Sequence, residues 1–213
     1  MNSVQKAPIA RRGLMGAALA AVSAGLASAS DRAQPTPART PEALAAERLR
    51  QRRAPNVMLL DHTGRRLRLY DDVMKGRTVL LNVMYSVCSN VCPPATRNLI
   101  EARRLLGDDA KALHFVSMTL TPLSDTPEAL RAYKRLHGIG ADWTFLTGTP
   151  ANVERAQRAL GFIGADEGDA ASDVPPGHTA MARLCDERVL RWSHVNTMQS
   201  PRSIARMIRF ELA

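Results

Sequence analysis

The sequence predicts an α/β domain: a central mixed sheet with flanking helices and an N-terminal β-hairpin. Three short apolar runs carry the prediction, "RTVLLNVMY" (77–85), "LHFVSMTL" (113–120) and "DWTFLTG" (142–148), each followed by a segment with helical spacing. Predominantly apolar runs of this length are what strands covered on both faces look like. A hydroxyl residue followed by proline also recurs before three of the helical segments, at Thr126-Pro127, Thr149-Pro150 and Ser200-Pro201. Strands that alternate with helices require a sheet with helices on both faces.

The elements follow in chain order. "NVMLLDHTGRRLRLYDD" (56–72) reads as two short strands around a His-Thr-Gly turn. The run at 77–85 is interrupted only by Asn82. In "PPATRNLIEARRLLGDD", Leu99, Ile100, Leu105 and Leu106 fall at helical spacing, and Pro94 suits a first helical position. Each later hydroxyl-proline pair places a capping oxygen before a first-turn proline, and Gly138 and Gly161 close two of those helices. "TAMARLCDERVLRWSH" (179–194) reads as a hairpin turning at Glu187-Arg188, antiparallel at one sheet edge. The order is two strands, then β-α-β-α-β-α, then two strands and a helix, which is a thioredoxin-like layout.

Composition bounds the rest. The chain has 213 residues, 45% of them hydrophobic, enough for one domain with a real core. Lys and Arg outnumber Asp and Glu by 29 to 20. Such an excess suits nucleic acid, a membrane surface or an acidic protein. Only 4% of residues are aromatic and no basic block interleaves with them, which argues against nucleic acid.

Residues 1–29 read as an export signal. Adjacent Arg11 and Arg12 precede "GLMGAALAAVSAGLA" (13–27), and "ASAS" offers a cleavage site after Ala29. Paired arginines before a mild apolar stretch read as a twin-arginine signal. An ordinary secretory leader and an uncleaved anchor are the alternatives. Residues 30–54 read as a linker with one short helix at 41–53, and 55–213 as the folded domain. Export implies a periplasmic, oxidising location, with membrane proximity if the leader is kept.

All three cysteines, Cys88, Cys92 and Cys185, lie beyond the leader. Cys88 and Cys92 follow the first buried strand, where α/β sheets form their sites. Pro93 disfavours helical backbone at Cys92, so the pair is expected in the loop, with the helix starting around Pro94. A helix N-terminus lowers thiol pKa, so both thiols are expected to be reactive. Four readings stand: inert core residues, a structural disulfide, a redox couple, or a metal clamp. So small a loop gives a disulfide little stabilising power. The three-residue spacing is wider than the usual two of thioredoxin-type couples. It leaves room for one metal, and soft thiolates favour Cu(I).

A clamp needs a third ligand. His62 in a turn, His114 at a strand start, His137 near a helix end and His194 at a strand end read as structural or solvated. His178 ends the irregular stretch "GADEGDAASDVPPGH" (164–178) and precedes a strand, a position where function is common.

The chain resembles the Sco/SenC family of copper-binding proteins over about residues 55–210. The resemblance rests on the Cys88-x-x-x-Cys92-Pro93 motif, "SMTLTPLSDTPEALRAY" (117–133), "LTGTPANV" (146–153) and "HTAMARLCDE" (178–187) in order. In that family two cysteines and a distal histidine bind copper. The resemblance therefore implies Cys88, Cys92 and His178 as ligands of one copper ion, Cu(I) or Cu(II). It implies delivery to the copper-receiving subunit of cytochrome c oxidase, or another exported copper protein, during assembly. Two positions depart from the family: Gly177 stands where Asp usually precedes the histidine, and Thr121-Pro122 where Asp-Pro is common, while Asp125 is kept.

The first rival is a thiol-disulfide reductase that keeps a target's copper-site cysteines reduced, which needs Cys88 and Cys92 but not His178. A thiol peroxidase is disfavoured because "LLNVMYSVC" lacks the Pro and the Thr or Ser of peroxiredoxins. Structural zinc is disfavoured because closed sites use four ligands. Met84, Met118 and Met181 read as gap fillers, Cys185 as a buried thiol and Trp192 as packing. Asp166, Glu167, Asp169 and Asp173 read as a solvated loop, with a docking surface as the alternative.

Overall fold

The computed structural model describes residues 40–88, 91–163 and 180–213. Thr40 caps helix α1 (Pro41–Arg53), which buries none of its own residues. It occupies most of the stretch expected as a linker, as the short helix read there. The hairpin follows as β1 (Met58–Asp61) and β2 (Arg66–Arg68). Its second strand is shorter than the sequence suggests. Leu69, Tyr70, Val73 and Met74 all turn inward, and the chain coils into a wide turn over Leu69–Met74 closed by the Lys75 N–H on the Tyr70 carbonyl at 2.8 Å.

The core strands are β3 (Thr78–Met84), β4 (Leu113–Thr119) and β5 (Trp143–Thr147), separated by α2 (Cys92–Leu106) and α3 (Pro127–Leu136). Then come α4 (Pro150–Ala159), β6 (Met181–Asp186), β7 (Arg191–Asn196) and α5 (Pro201–Leu212). The three hydroxyl-proline signals each act as read. Thr126, Thr149 and Ser200 accept the N–H of Ala129, Asn152 and Ser203. Gly138 and Gly161 follow α3 and α4 with φ of +63° and +72°, where a side chain would be strained.

The sheet order is β2-β1-β5-β4-β3-β6-β7. β3, β4 and β5 are parallel, and the two hairpins add antiparallel strands at opposite edges. This is the thioredoxin-like arrangement expected. Every residue of β3 is buried, and successive side chains serve opposite faces. Leu80 and Met84 pack with α2, α3 and α5; Val79, Leu81 and Val83 pack with α4 and the wide turn. Asn82 is satisfied within this apolar strand: its Oδ1 accepts from Ser117 Oγ at 2.7 Å, and Ser117 accepts from Trp143 Nε1 at 2.9 Å. No helix among the described residues is long and apolar enough to cross a membrane.

Candidate metal centre

The cysteine pair sits at the carboxyl end of β3, in the face shared with α2 and α3. The Cys88 N–H closes a turn on the Tyr85 carbonyl at 3.2 Å. α2 begins at Cys92, with Val91 as its cap residue, so it starts two residues before the expected Pro94. The physical reason lies in the first turn. N–H groups there have no partner within the helix, so Pro93 and Pro94 forfeit nothing by lacking them. The Cys92 N–H is satisfied by Cys88 Sγ at 3.3 Å, and the Val91 carbonyl accepts from Ala95. A sulfur thus does capping that the cap residue, Val91, has no side-chain oxygen to supply.

Burial decides the electrostatics. Cys88 and Cys92 are 7% and 4% exposed, and neither is in a disulfide. Burial pushes the Cys92 thiol up to about 12. A hydrogen bond from the Tyr85 backbone opposes this, while the hydrogen bond and charge of Cys88 and the charge of Asp125 add to it. The sequence expectation of two activated thiols is therefore corrected for Cys92: desolvation outweighs the helix N-terminus. Two phenols stand close. A hydrogen bond to Cys88, with burial, pushes Tyr85 up to about 12; burial does the same to Tyr133, against its hydrogen bond with Thr96 at 2.8 Å.

Asp125 holds the adjoining loops. It is fully buried just before the α3 cap. It accepts the Ser86 N–H at 3.1 Å, the Ser86 hydroxyl, the Thr119 hydroxyl at 2.5 Å and the Thr121 hydroxyl at 3.2 Å. Sequence reading noted only that Asp125 is kept. The available signal was an acid directly before a Thr-Pro helix start, in the loop after the strand next to the cysteine strand.

His178 lies outside the described residues, as do the acidic positions from Asp166 to Asp173. The structure thus brings Cys88 and Cys92 together and leaves the third expected ligand undescribed. The other histidines have structural places. His62 meets Lys134 and the Phe145 backbone, His114 bonds Thr144 at 2.9 Å, His137 ends α3, and His194 is exposed on β7. No group of three or more His, Cys, Asp or Glu among the described residues is placed to hold a metal. Met84 and Met118 fill the core on opposite faces. Cys185 is buried against the α4 side, away from the pair, and Trp192 packs beside that cluster.

The SCO1/SenC family model matches residues 45–213, most of the chain. The chain belongs to the SCO1/SenC family. Two curated relatives of this SCO1/SenC chain align. A candidate copper-binding protein of Stutzerimonas stutzeri is 31% identical over 63% of the chain, and a SCO1 homologue of Bacillus subtilis 26% over 35%. The alignments span 65% and 39% of those relatives' lengths. Solved SCO1/SenC structures share the fold. Copper-bound ScoI of Bradyrhizobium japonicum has TM-score 0.57 at 24% identity, covering 72% of this chain and 95% of that one. A SCO1/SenC lipoprotein of Bacillus anthracis has TM-score 0.62 at 19% identity, covering 75% and 95%. Yeast Sco1 has TM-score 0.60 at 18% identity, covering 73% and 94%.

Proposed function

We propose that the protein binds one copper ion through Cys88, Cys92 and His178 and delivers it to the binuclear copper centre of cytochrome c oxidase, or to another exported copper protein. The observation that carries this reading is the packing of two buried thiols into one turn, with the amide of one on the sulfur of the other. Soft sulfur donors in a dry site suit Cu(I). Family membership and copper-bound ScoI support the same cargo.

The chain's own residues do the following. Cys88 and Cys92 give up protons as sulfur takes the metal, and His178 supplies an imidazole. Three ligands leave one position for an incoming donor, so cargo passes by stepwise exchange. Oxidation of the two metal-bound thiolates to a disulfide by a partner's disulfide, which takes the two electrons and with two protons from water becomes a dithiol, would remove both sulfur ligands and release the metal. Residues 1–29 act as a twin-arginine-type export signal and 30–54 as a linker. They place the domain 55–213 in the periplasm, near the membrane if the leader is kept.

A second reading is a thiol-disulfide reductase: the dithiol passes two electrons and two protons to a target's disulfide. The described geometry supports it too, since it needs the cysteine pair alone, and BsSco, a Sco family member of the same fold, has a disulfide switch. Anaerobic Cu(I) titration against a competing chelator, on wild type and His178→Ala, separates the two. One tightly held copper per chain, clearly weakened by the substitution, is the expected result. Weak binding indifferent to His178 would overturn the three-ligand site and leave the reductase.

A further inference from the structure

We propose that Asp125 is the positioning residue of the thiol pair: its carboxylate fixes Ser86, and through it the turn that sets Cys88 over the Cys92 amide. This rests on the copper and redox reading above.

Asp125 is fully buried, and none of the ion pairs among the described residues includes it. A buried carboxylate without a cation is costly unless its lone pairs are filled. Here they are filled by four donors: the Ser86 N–H and hydroxyl from the segment after β3, the Thr119 hydroxyl at the end of β4 and the Thr121 hydroxyl just beyond it. An apolar residue could hold two loops together without that cost. What a carboxylate adds is direction, because charged acceptors bind donors at short, defined angles.

The location makes that direction consequential. The last ladder bond between β3 and β4 runs from the Leu120 N–H to the Met84 carbonyl at 2.7 Å. Beyond it the strands end, and Asp125 joins the segment after β4 to Ser86 in the segment after β3. Ser86 lies two residues before Cys88, and the Cys88 amide folds back on Tyr85. Fixing Ser86 therefore fixes where Cys88 Sγ can sit. Thr121 occupies a position where the family commonly has Asp. In this chain its hydroxyl donates to Asp125 at 3.2 Å and so adds a donor to that carboxylate.

A residue that merely stabilises the fold would act on melting temperature alone, so the test sets Asp125 against a destabilising change elsewhere in the core. Asp125→Asn is set against Val153→Ala, a core truncation in α4 on the far face of the sheet. Two quantities are measured for each. One is Cu(I) affinity against a chelator. The other is the equilibrium constant for oxidation of the Cys88/Cys92 dithiol by glutathione disulfide, which yields one protein disulfide and two glutathione thiols. Asp125→Asn is expected to weaken Cu(I) binding by about tenfold or more, the scale seen for residues that orient metal ligands. It is expected to disfavour the disulfide by a similar factor, because misplaced sulfurs meet less often. Val153→Ala should leave both constants at the wild-type value. If the two variants behave alike, the proposal is overturned. Should Asp125→Asn not fold, Ser86→Ala with Thr119→Val removes two of the four donors and keeps the acid. A severalfold change in both constants supports the proposal, and wild-type constants overturn it. If wild type binds no Cu(I), the copper reading fails, while the glutathione constant still decides the role of Asp125.

Discussion

The backbone amide of Cys92 donates to the sulfur of Cys88 across 3.3 Å, and this contact opens helix α2. It gives Cys88 a structural role separable from any metal. Cys88→Ala leaves a buried amide unpaired and should cost about 1–2 kcal/mol. Cys88→Ser restores an acceptor and should recover part of that loss while still abolishing tight Cu(I) binding. Urea denaturation and a chelator competition on both variants check this. Equal stability of the alanine and serine variants would rule out the capping role.

Copper uptake should depend on pH. Burial holds the Cys92 thiol at about 12, so at neutral pH the thiol carries its proton. Binding must expel it, and affinity then rises about tenfold per pH unit for each proton displaced. Cu(I) competition at pH 7.5 and 8.5 should show at least that rise. A flat response would mean that the thiol ionises without the metal.

Lys134 gives a second pH effect, on stability. The Phe145 N–H donates to His62 Nδ1 at 3.3 Å, so the proton of a neutral His62 sits on Nε2, which faces Lys134 Nζ at 3.1 Å. An ammonium there would set donor against donor; an amine accepts and still donates to the Trp143 carbonyl at 2.5 Å. Burial lowers Lys134 to about 8 from its ordinary 10.5, with Asp61 opposing. Between those values the folded state holds fewer protons than the unfolded. The stabilising contribution is complete above 10.5 and is lost as pH falls through 8. Urea midpoints at pH 7.5 and 9.5 should rise for wild type relative to Lys134→Met. Parallel curves would show that Lys134 stays charged.

Ser117 links Trp143 to Asn82 inside the sheet, with both contacts below 3 Å. Ser117→Ala orphans an indole N–H and an amide oxygen at once. Each buried orphan costs about 1–3 kcal/mol. The variant should lose about 2 kcal/mol or more, read from chemical denaturation. A loss under about 0.5 kcal/mol would mean that water enters the strand interface.

Much of the fold was legible because it rests on local chemistry. The largely apolar runs at 79–84 and 113–119 read as strands covered on both faces, and the hydroxyl-proline pairs at Thr126, Thr149 and Ser200 read as helix starts, and both are what the fold contains. The cysteine pair was legible as a candidate site for the same reason, since its spacing and place after a strand are sequence properties. Tertiary structure decided what depends on neighbours distant in the chain. Whether a thiol at a helix start is activated depends on solvent access, which α2 and α3 remove, so Cys92 is held protonated where sequence reasoning expected the reverse. Asp125 gains its place only when β4 pairs with β3 and its loop folds against Ser86, 39 residues away. Local preference is written in adjacent residues; desolvation and buried polar pairing arise only when distant segments pack together.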